Sequence, residues 1–145
     1  MFMSGCLGIK APAVSHPETP AVLVDYQKTG GIAGMDSRLV IFTNGAGLIF
    51  GKNVNREISF NQSELNQIDE IFLRARFSDL EPSYTSRHEG ADLIRYSISY
   101  KNMTVTTEDT AIPSSLQPVI DEMNGIMERN LLQQKSVNVI GNFTG

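Results

Sequence analysis

Apolar and polar residues alternate with a period of two along much of the first half of the chain, a pattern typical of half-buried β-strands. This alternation predicts strands over 22–26, 38–42 and 46–50. Asn44-Gly45 separates the second strand from the third and is a strong short-range signal for a β-hairpin. Residues 56–60 also alternate, and they predict either a short strand or a lead-in to the helix that follows.

In two later segments the period changes to that of an amphipathic helix. Asn61 is a natural N-cap and Glu64 completes a capping box, which predicts a helix from there to near Arg76. A second helix is predicted to begin near Ser115, and its periodicity ends after Asn130. Its apolar stripe, which we expect to be core rather than a methionine-rich ligand face, consists of Leu116, Val119, Ile120, Met123, Ile126 and Met127.

Between the helices, residues 94–100 and 103–107 alternate in register around a Lys101-Asn102 turn, which predicts another hairpin. Hairpins without a repeated βαβ unit predict the α+β class. We expect an antiparallel sheet of about five to six strands with two amphipathic helices packed on one face. The folded domain is expected to span 21–130, between a flexible tether at 1–20 and a loose C-terminal tail at 131–145.

A glycine-rich loop follows the first predicted strand and consists of Gly30, Gly31, Ile32, Ala33 and Gly34. Its spacing is not that of a nucleotide-binding loop, and no Gly-Lys-Ser/Thr follows it. A phosphate-binding loop must also open a helix, whereas the residues that follow here favour a strand. The segment is therefore predicted to connect two strands, and the apolar Ile32 at its tip suits a contact surface.

Few residues of the chain have the chemistry of a catalytic or metal site. The single cysteine and two histidines exclude a disulfide framework and a three-histidine metal site within one chain. A Ser–His–acid set could be drawn in the loop 78–91 from His88 and Ser83 or Ser86, but a solvated loop histidine is the better interpretation of His88. The carboxylate pairs at 69–70 and 121–122 lie on polar helix faces, where they are expected to be solvating charges. We expect no enzyme, no catalytic residue, no metal and no cofactor.

The acidic pair Glu108-Asp109 stands between the last predicted strand and the second helix. It could simply solvate the entry to the helix, or it could approach a metal or an arginine of a partner. The net charge of −4 and the pI of about 5.1 come without any cluster of Lys and Arg. Nucleic acid is therefore not expected as a partner.

The N-terminal segment contains Ser4-Gly5-Cys6, and small residues before a cysteine resemble the lipobox of prokaryotic lipoproteins. Residues 10–20 are rich in Pro, Ser, Thr and Ala, like a flexible tether. Only five residues precede Cys6, fewer than a signal peptide needs, so we expect a truncated start. On this interpretation Cys6 is lipidated and the protein is extracellular or anchored to the cell envelope. The alternative is a disordered N-terminus with an incidental cysteine.

Three segments, taken in order, resemble the emfourin family. The first is a strand that runs into the glycine loop, over 22–42. The second is an acidic helix ending in Ala75, Phe77, Leu80 and Pro82. The third, over 90–123, has Gly-Ala-Asp, an alternating hairpin, the acidic turn and a last helix. The similarity covers roughly 21–128, while the hairpin 38–50 and the N-terminal tether depart from the family pattern.

Emfourins are proteinaceous inhibitors of thermolysin-like zinc metallopeptidases. The resemblance therefore implies a binding module that occludes the active-site cleft of such a peptidase. We expect the glycine loop, by its position, and Glu108-Asp109, by its chemistry, to make the contacts. The alternative is a lipid-anchored envelope domain with a structural or interaction role and no peptidase partner.

Overall fold

The computed structural model describes residues 20–85 and 92–143, with side chains as far as residue 131. Seven strands and two α-helices make up this part of the chain. The strands are β1 (Val22–Gly30), β2 (Met35–Phe42), β3 (Ala46–Gly51), β4 (Val54–Ser59), β5 (Ser83–Tyr84), β6 (Ile94–Tyr100) and β7 (Met103–Glu108). The helices are α1 (Gln62–Arg74) and α2 (Gln117–Phe143), and a short 3₁₀ turn (Phe77–Asp79) follows α1.

The strands form one sheet in the order β4-β3-β2-β1-β6-β7-β5. All neighbouring strands are antiparallel except β5 and β7, which are parallel. The predicted α+β class and antiparallel sheet are therefore confirmed. The strand count exceeds the predicted five to six because β4 is a full strand and because two residues of the predicted polar loop pair with Thr106 and Thr107 of β7.

Both helices pack on the same face of the sheet, as predicted. The hydroxyl of Tyr26 on β1 donates a hydrogen bond to Asn124 of α2 at 2.8 Å, and the hydroxyl of Tyr100 on β6 donates one to Asp69 of α1. These tyrosines share a face of the sheet. Tyr26 lies opposite Ile98 in the ladder between β1 and β6, and Tyr100 is two residues after Ile98 on the same strand. The largest fully buried side chains are Tyr26, Phe72, Leu39, Ile41, Ile49, Ile98, Leu116, Ile120 and Met123.

The predicted start of α1 is confirmed in detail. The side chain of Asn61 accepts a hydrogen bond from the backbone N–H of Glu64, and the Glu64 carboxylate accepts one from the backbone N–H of Asn61. The helix ends slightly earlier than the expected Arg76. Its C-cap is Ala75, and Arg76 itself adopts the left-handed conformation with φ 51°.

The backbone of the predicted tail at 131–145 is helical as far as Phe143, because α2 continues to that residue. Residues 131–140 lose the amphipathic period but contain no glycine or proline. Propagating an existing helix fixes one residue for each hydrogen bond gained, so a helix can continue through such a segment without an apolar stripe. The proposed tether at 1–20, except for its last residue, and the lipidation site Cys6 lie outside the described residues.

Candidate functional site

The glycine loop forms the tip of the hairpin between β1 and β2. Gly30 pairs with Met35 at the end of the ladder, and residues 31–34 make the turn. The backbone N–H of Gly34 donates to the carbonyl oxygen of Gly31 at 3.1 Å, which closes the turn. The prediction of a strand-connecting loop is confirmed, and no helix begins where an anion-binding loop would need one.

The neighbouring strand fixes the base of this loop. Gly30 has φ +100°, and a Cβ atom added there would lie 2.5 Å from the carbonyl oxygen of Leu93, just before β6. The backbone N–H of Gly31 donates to that same oxygen at 3.3 Å. Glycine is needed at residue 30 both for its backbone angle and for this close approach. The loop is therefore held in one orientation by the body of the sheet.

The tip of the loop projects an apolar side chain into solvent. Ile32 is 89% exposed, the highest value among the large hydrophobic residues described as exposed. Its neighbours Ala33 and Gly34 are exposed as well. Single exposed apolar residues are common on protein surfaces. Ile32 differs from most such residues in that the base of its loop is held by the hydrogen bond from Gly31 to the Leu93 carbonyl oxygen.

The acidic turn lies at the same end of the sheet as the glycine loop. Gly30 is the ladder partner of Ile94 on β6, and the backbone N–H of Asp109 donates to the carbonyl oxygen of Ile94 at 2.9 Å. The two segments therefore flank Ile94 from opposite sides. Neighbouring strands are about 4.8 Å apart, so the loop base and the turn are about 10 Å apart across the sheet. The structure brings together the two segments that the sequence nominated separately.

The two acidic residues of the turn differ in accessibility. Asp109 is exposed, whereas the side chain of Glu108 is only 12% exposed. The Glu108 carboxylate lies 3.5 Å from Nε of Arg95, its ladder partner on β6. Asp109 is therefore the carboxylate of this pair that a partner could reach directly.

A cleft of about 460 Å³ lies beside the glycine loop, on the sheet face opposite the helices. Its lining includes Thr29, Tyr84, Arg95, Thr106 and Glu108. This cleft could not be predicted from the sequence, because one wall is the two-residue strand β5 and the floor combines β1 with the distant hairpin of β6 and β7. The alternation of polar residues on β1 and β6 predicted only that this face would be exposed.

The other candidate groups are dispersed. His88 and Ser86 lie outside the described residues, and Ser83 belongs to β5. Asp69 and Glu70 are more than solvating charges, since Asp69 accepts a hydrogen bond from Tyr100 and Glu70 pairs with Arg74 at 2.6 Å. Among the side chains described, over 20–85 and 92–131, no three His, Cys, Asp or Glu are grouped so that they could hold a metal ion.

Neither α1 nor the described part of α2 is long and apolar enough to cross a membrane. Comparisons of the chain with protein-family models, with curated proteins and with solved structures find no match.

Proposed function

We propose that this chain is a protein-binding module whose contact surface is the sheet end formed by the glycine loop and the acidic turn. The observation that carries the proposal is the 89% exposure of Ile32 on a loop whose base is fixed against Leu93. A rigid loop with an apolar tip can insert into a pocket of a partner at a small entropic cost. Asp109, about two strands away, supplies a charge that can orient the partner.

The partner that the resemblance to emfourins favours is a thermolysin-like zinc metallopeptidase. In this proposal the chain acts by occlusion: the loop tip fills an apolar subsite, and Asp109 approaches the zinc or an arginine of the substrate-binding cleft. The chain itself performs no chemistry. The proximity of the loop and the acidic turn supports this arrangement, because a single cleft could engage both.

The test is an inhibition titration of purified protein against several thermolysin-like peptidases. We expect saturable inhibition by the wild type and a loss of at least about a hundredfold for Ile32→Asp, as for the removal of a central interfacial anchor. Leu73→Asp is the matched control, because Leu73 is 70% exposed on α1, away from the loop. It should inhibit like the wild type. Circular dichroism of each variant checks that the fold is retained.

Two outcomes contradict the inhibitor proposal. The absence of inhibition at micromolar excess against all the peptidases tested would reject the partner class. Equal losses for Ile32→Asp and Leu73→Asp would reject the loop as the contact surface. In the first case the alternative stands: an envelope domain anchored through Cys6, with an interaction role and no peptidase partner. Mass spectrometry of the membrane fraction for acylated Cys6 tests that alternative.

A further inference from the structure

A second candidate interaction surface lies at the opposite end of the sheet, where α1 ends beside the turn between β6 and β7. The two ends are separated by the length of β6, from Ile94 near the glycine loop to Tyr100 near this turn. Strands rise about 3.3 Å per residue, so the separation is about 20 Å. A pocket of about 180 Å³ opens here and includes Phe72, Phe77, Tyr100 and Met103 in its lining.

The floor of this pocket is a rigid group of aromatic rings. Phe72 of α1 and Tyr100 stack with their ring centroids 4.1 Å apart, and Phe77 meets Phe72 edge-on at 5.2 Å. Such packed rings hold their shape when a ligand arrives. Leu73 lies at the rim and is 70% exposed, so the apolar surface continues outward from the pocket.

Two cationic side chains complete the lining, Arg76 and Lys101. Arg76 makes no ion pair with any residue that the structure describes. Nζ of Lys101 lies 5.1 Å from the centroid of the Tyr100 ring and a long 3.9 Å from the Asp69 carboxylate. Asp69 therefore offsets part of the Lys101 charge, and Arg76 has its charge available. This pairing of cations with an apolar pocket is notable in a chain whose net charge is −4.

Both cations occupy backbone positions where glycine or asparagine would be more stable. Arg76 has φ 51° directly after the C-cap of α1, and Lys101 has φ 48° in the hairpin turn. Left-handed residues at these two kinds of position are usually glycine or asparagine, because a Cβ atom is strained there. The chain therefore places its long cations at the pocket at some cost in stability, which is typical of residues kept for binding.

We propose that this pocket binds an acidic peptide segment of a partner protein. One apolar side chain of that segment enters the pocket and packs against the aromatic rings that line it, while neighbouring carboxylates contact Arg76 and Lys101. The size of the pocket suits a single side chain, and the charge complementarity selects acidic neighbours. Exposed Leu73 extends the apolar contact along the peptide. This surface is separate from the glycine loop, so the proposal does not depend on the proposed function.

The test is an NMR titration of the ¹⁵N-labelled protein with a blocked pentapeptide in which two aspartates flank each side of a phenylalanine. Its control has asparagine in place of every aspartate. We expect saturable shifts of the Leu73, Phe77 and Lys101 amides, with affinity about tenfold lower for the neutral peptide, as for the loss of one charge-assisted contact. The Ile32→Asp variant should bind the acidic peptide like the wild type, which separates this proposal from that for the glycine loop.

The decisive variant is Arg76→Gly, which should weaken binding of the acidic peptide about tenfold while the urea midpoint stays the same or rises. Arg74→Gln is the matched control: it removes an exposed charge from the last turn of α1, two residues before Arg76 and outside the pocket, and should leave binding unchanged. The proposal is overturned by equal affinity for the two peptides, by equal losses in the two variants, or by no saturable shift up to about 5 mM peptide.

Discussion

The carbonyl oxygen of Leu93 lies so close to Gly30 that a Cβ atom added to Gly30 would be only 2.5 Å from it. The same oxygen accepts the N–H of Gly31, so one carbonyl group both excludes a side chain and holds the loop. The base of the loop that carries Ile32 is therefore positioned by Leu93, directly before β6, and not only by contacts within the loop.

Gly30→Ala is expected to destabilise the fold by about 2–4 kcal/mol, because it combines an unfavourable φ with a backbone clash. Gly34→Ala is the matched control. Gly34 has φ +61° but nothing within 4 Å of its added Cβ, so only the conformational cost of about 1 kcal/mol is expected. Urea unfolding of the two variants measures the difference. Similar free energies of unfolding would show that the Leu93 contact does not constrain the loop.

The hydrogen bond between Tyr26 and Asn124 is expected to contribute measurably to the free energy of unfolding. It joins the central strand β1 to α2 across the core, and Tyr26 has no exposed surface. Tyr26→Phe should cost about 1–2 kcal/mol, because the Asn124 amide loses its partner in a half-buried position. A double-mutant cycle with Asn124→Ala isolates the pairwise energy. Additive losses would mean that the bond contributes no net stability.

Replacement of the N-cap of α1 tests a feature that the sequence predicted in full. Asn61→Ala should destabilise the protein by about 1 kcal/mol, since it removes the acceptor of the Glu64 N–H. Asn61→Asp keeps that acceptor and should remain close to wild-type stability. Thermal unfolding of both variants gives the comparison. An equal loss in both would mean that the capping box contributes little to the fold.

The sequence predicted features that depend on residues close together in the chain. The capping box involves residues three apart, and the Lys101-Asn102 turn requires two consecutive positive φ angles, which the structure shows at 48° and 69°. Alternation identified β6 and β7 and the face that they share, because every second residue of a half-buried strand points to the core.

Features that depend on distant residues could not be predicted in this way. The strand β5 exists because its backbone lies beside Thr106, and Ser83-Tyr84 has no pattern of its own. The cleft beside Thr29 depends on the order of the strands in the sheet, and the pocket beneath Leu73 depends on the packing of α1 against the hairpin of β6 and β7. The helical backbone after residue 130 follows from propagation rather than from an apolar stripe, so periodicity gave no signal for it.

Alkaline pH should destabilise this fold through its buried tyrosines. Burial is the main reason why the pKa values of Tyr26, Tyr96 and Tyr100 are raised, and the hydrogen bond to Asp69 raises the pKa of Tyr100 further. In the unfolded chain a tyrosine titrates near pH 10. The unfolded state then releases protons that the folded state keeps, so the stability from these groups is complete below about pH 10 and is lost above it.

The urea midpoint should therefore fall as the pH rises above about 10, and phenolate absorbance should appear together with the loss of secondary structure. The double variant Tyr26→Phe, Tyr100→Phe should be less stable than the wild type at neutral pH. It should lose less stability between about pH 9 and 11, because it lacks two of the hydroxyl groups that release their protons more readily in the unfolded state. Unfolding curves of the wild type and the variant over that range are the measurement. The same slope against pH in both would show that neither hydroxyl couples ionisation to folding.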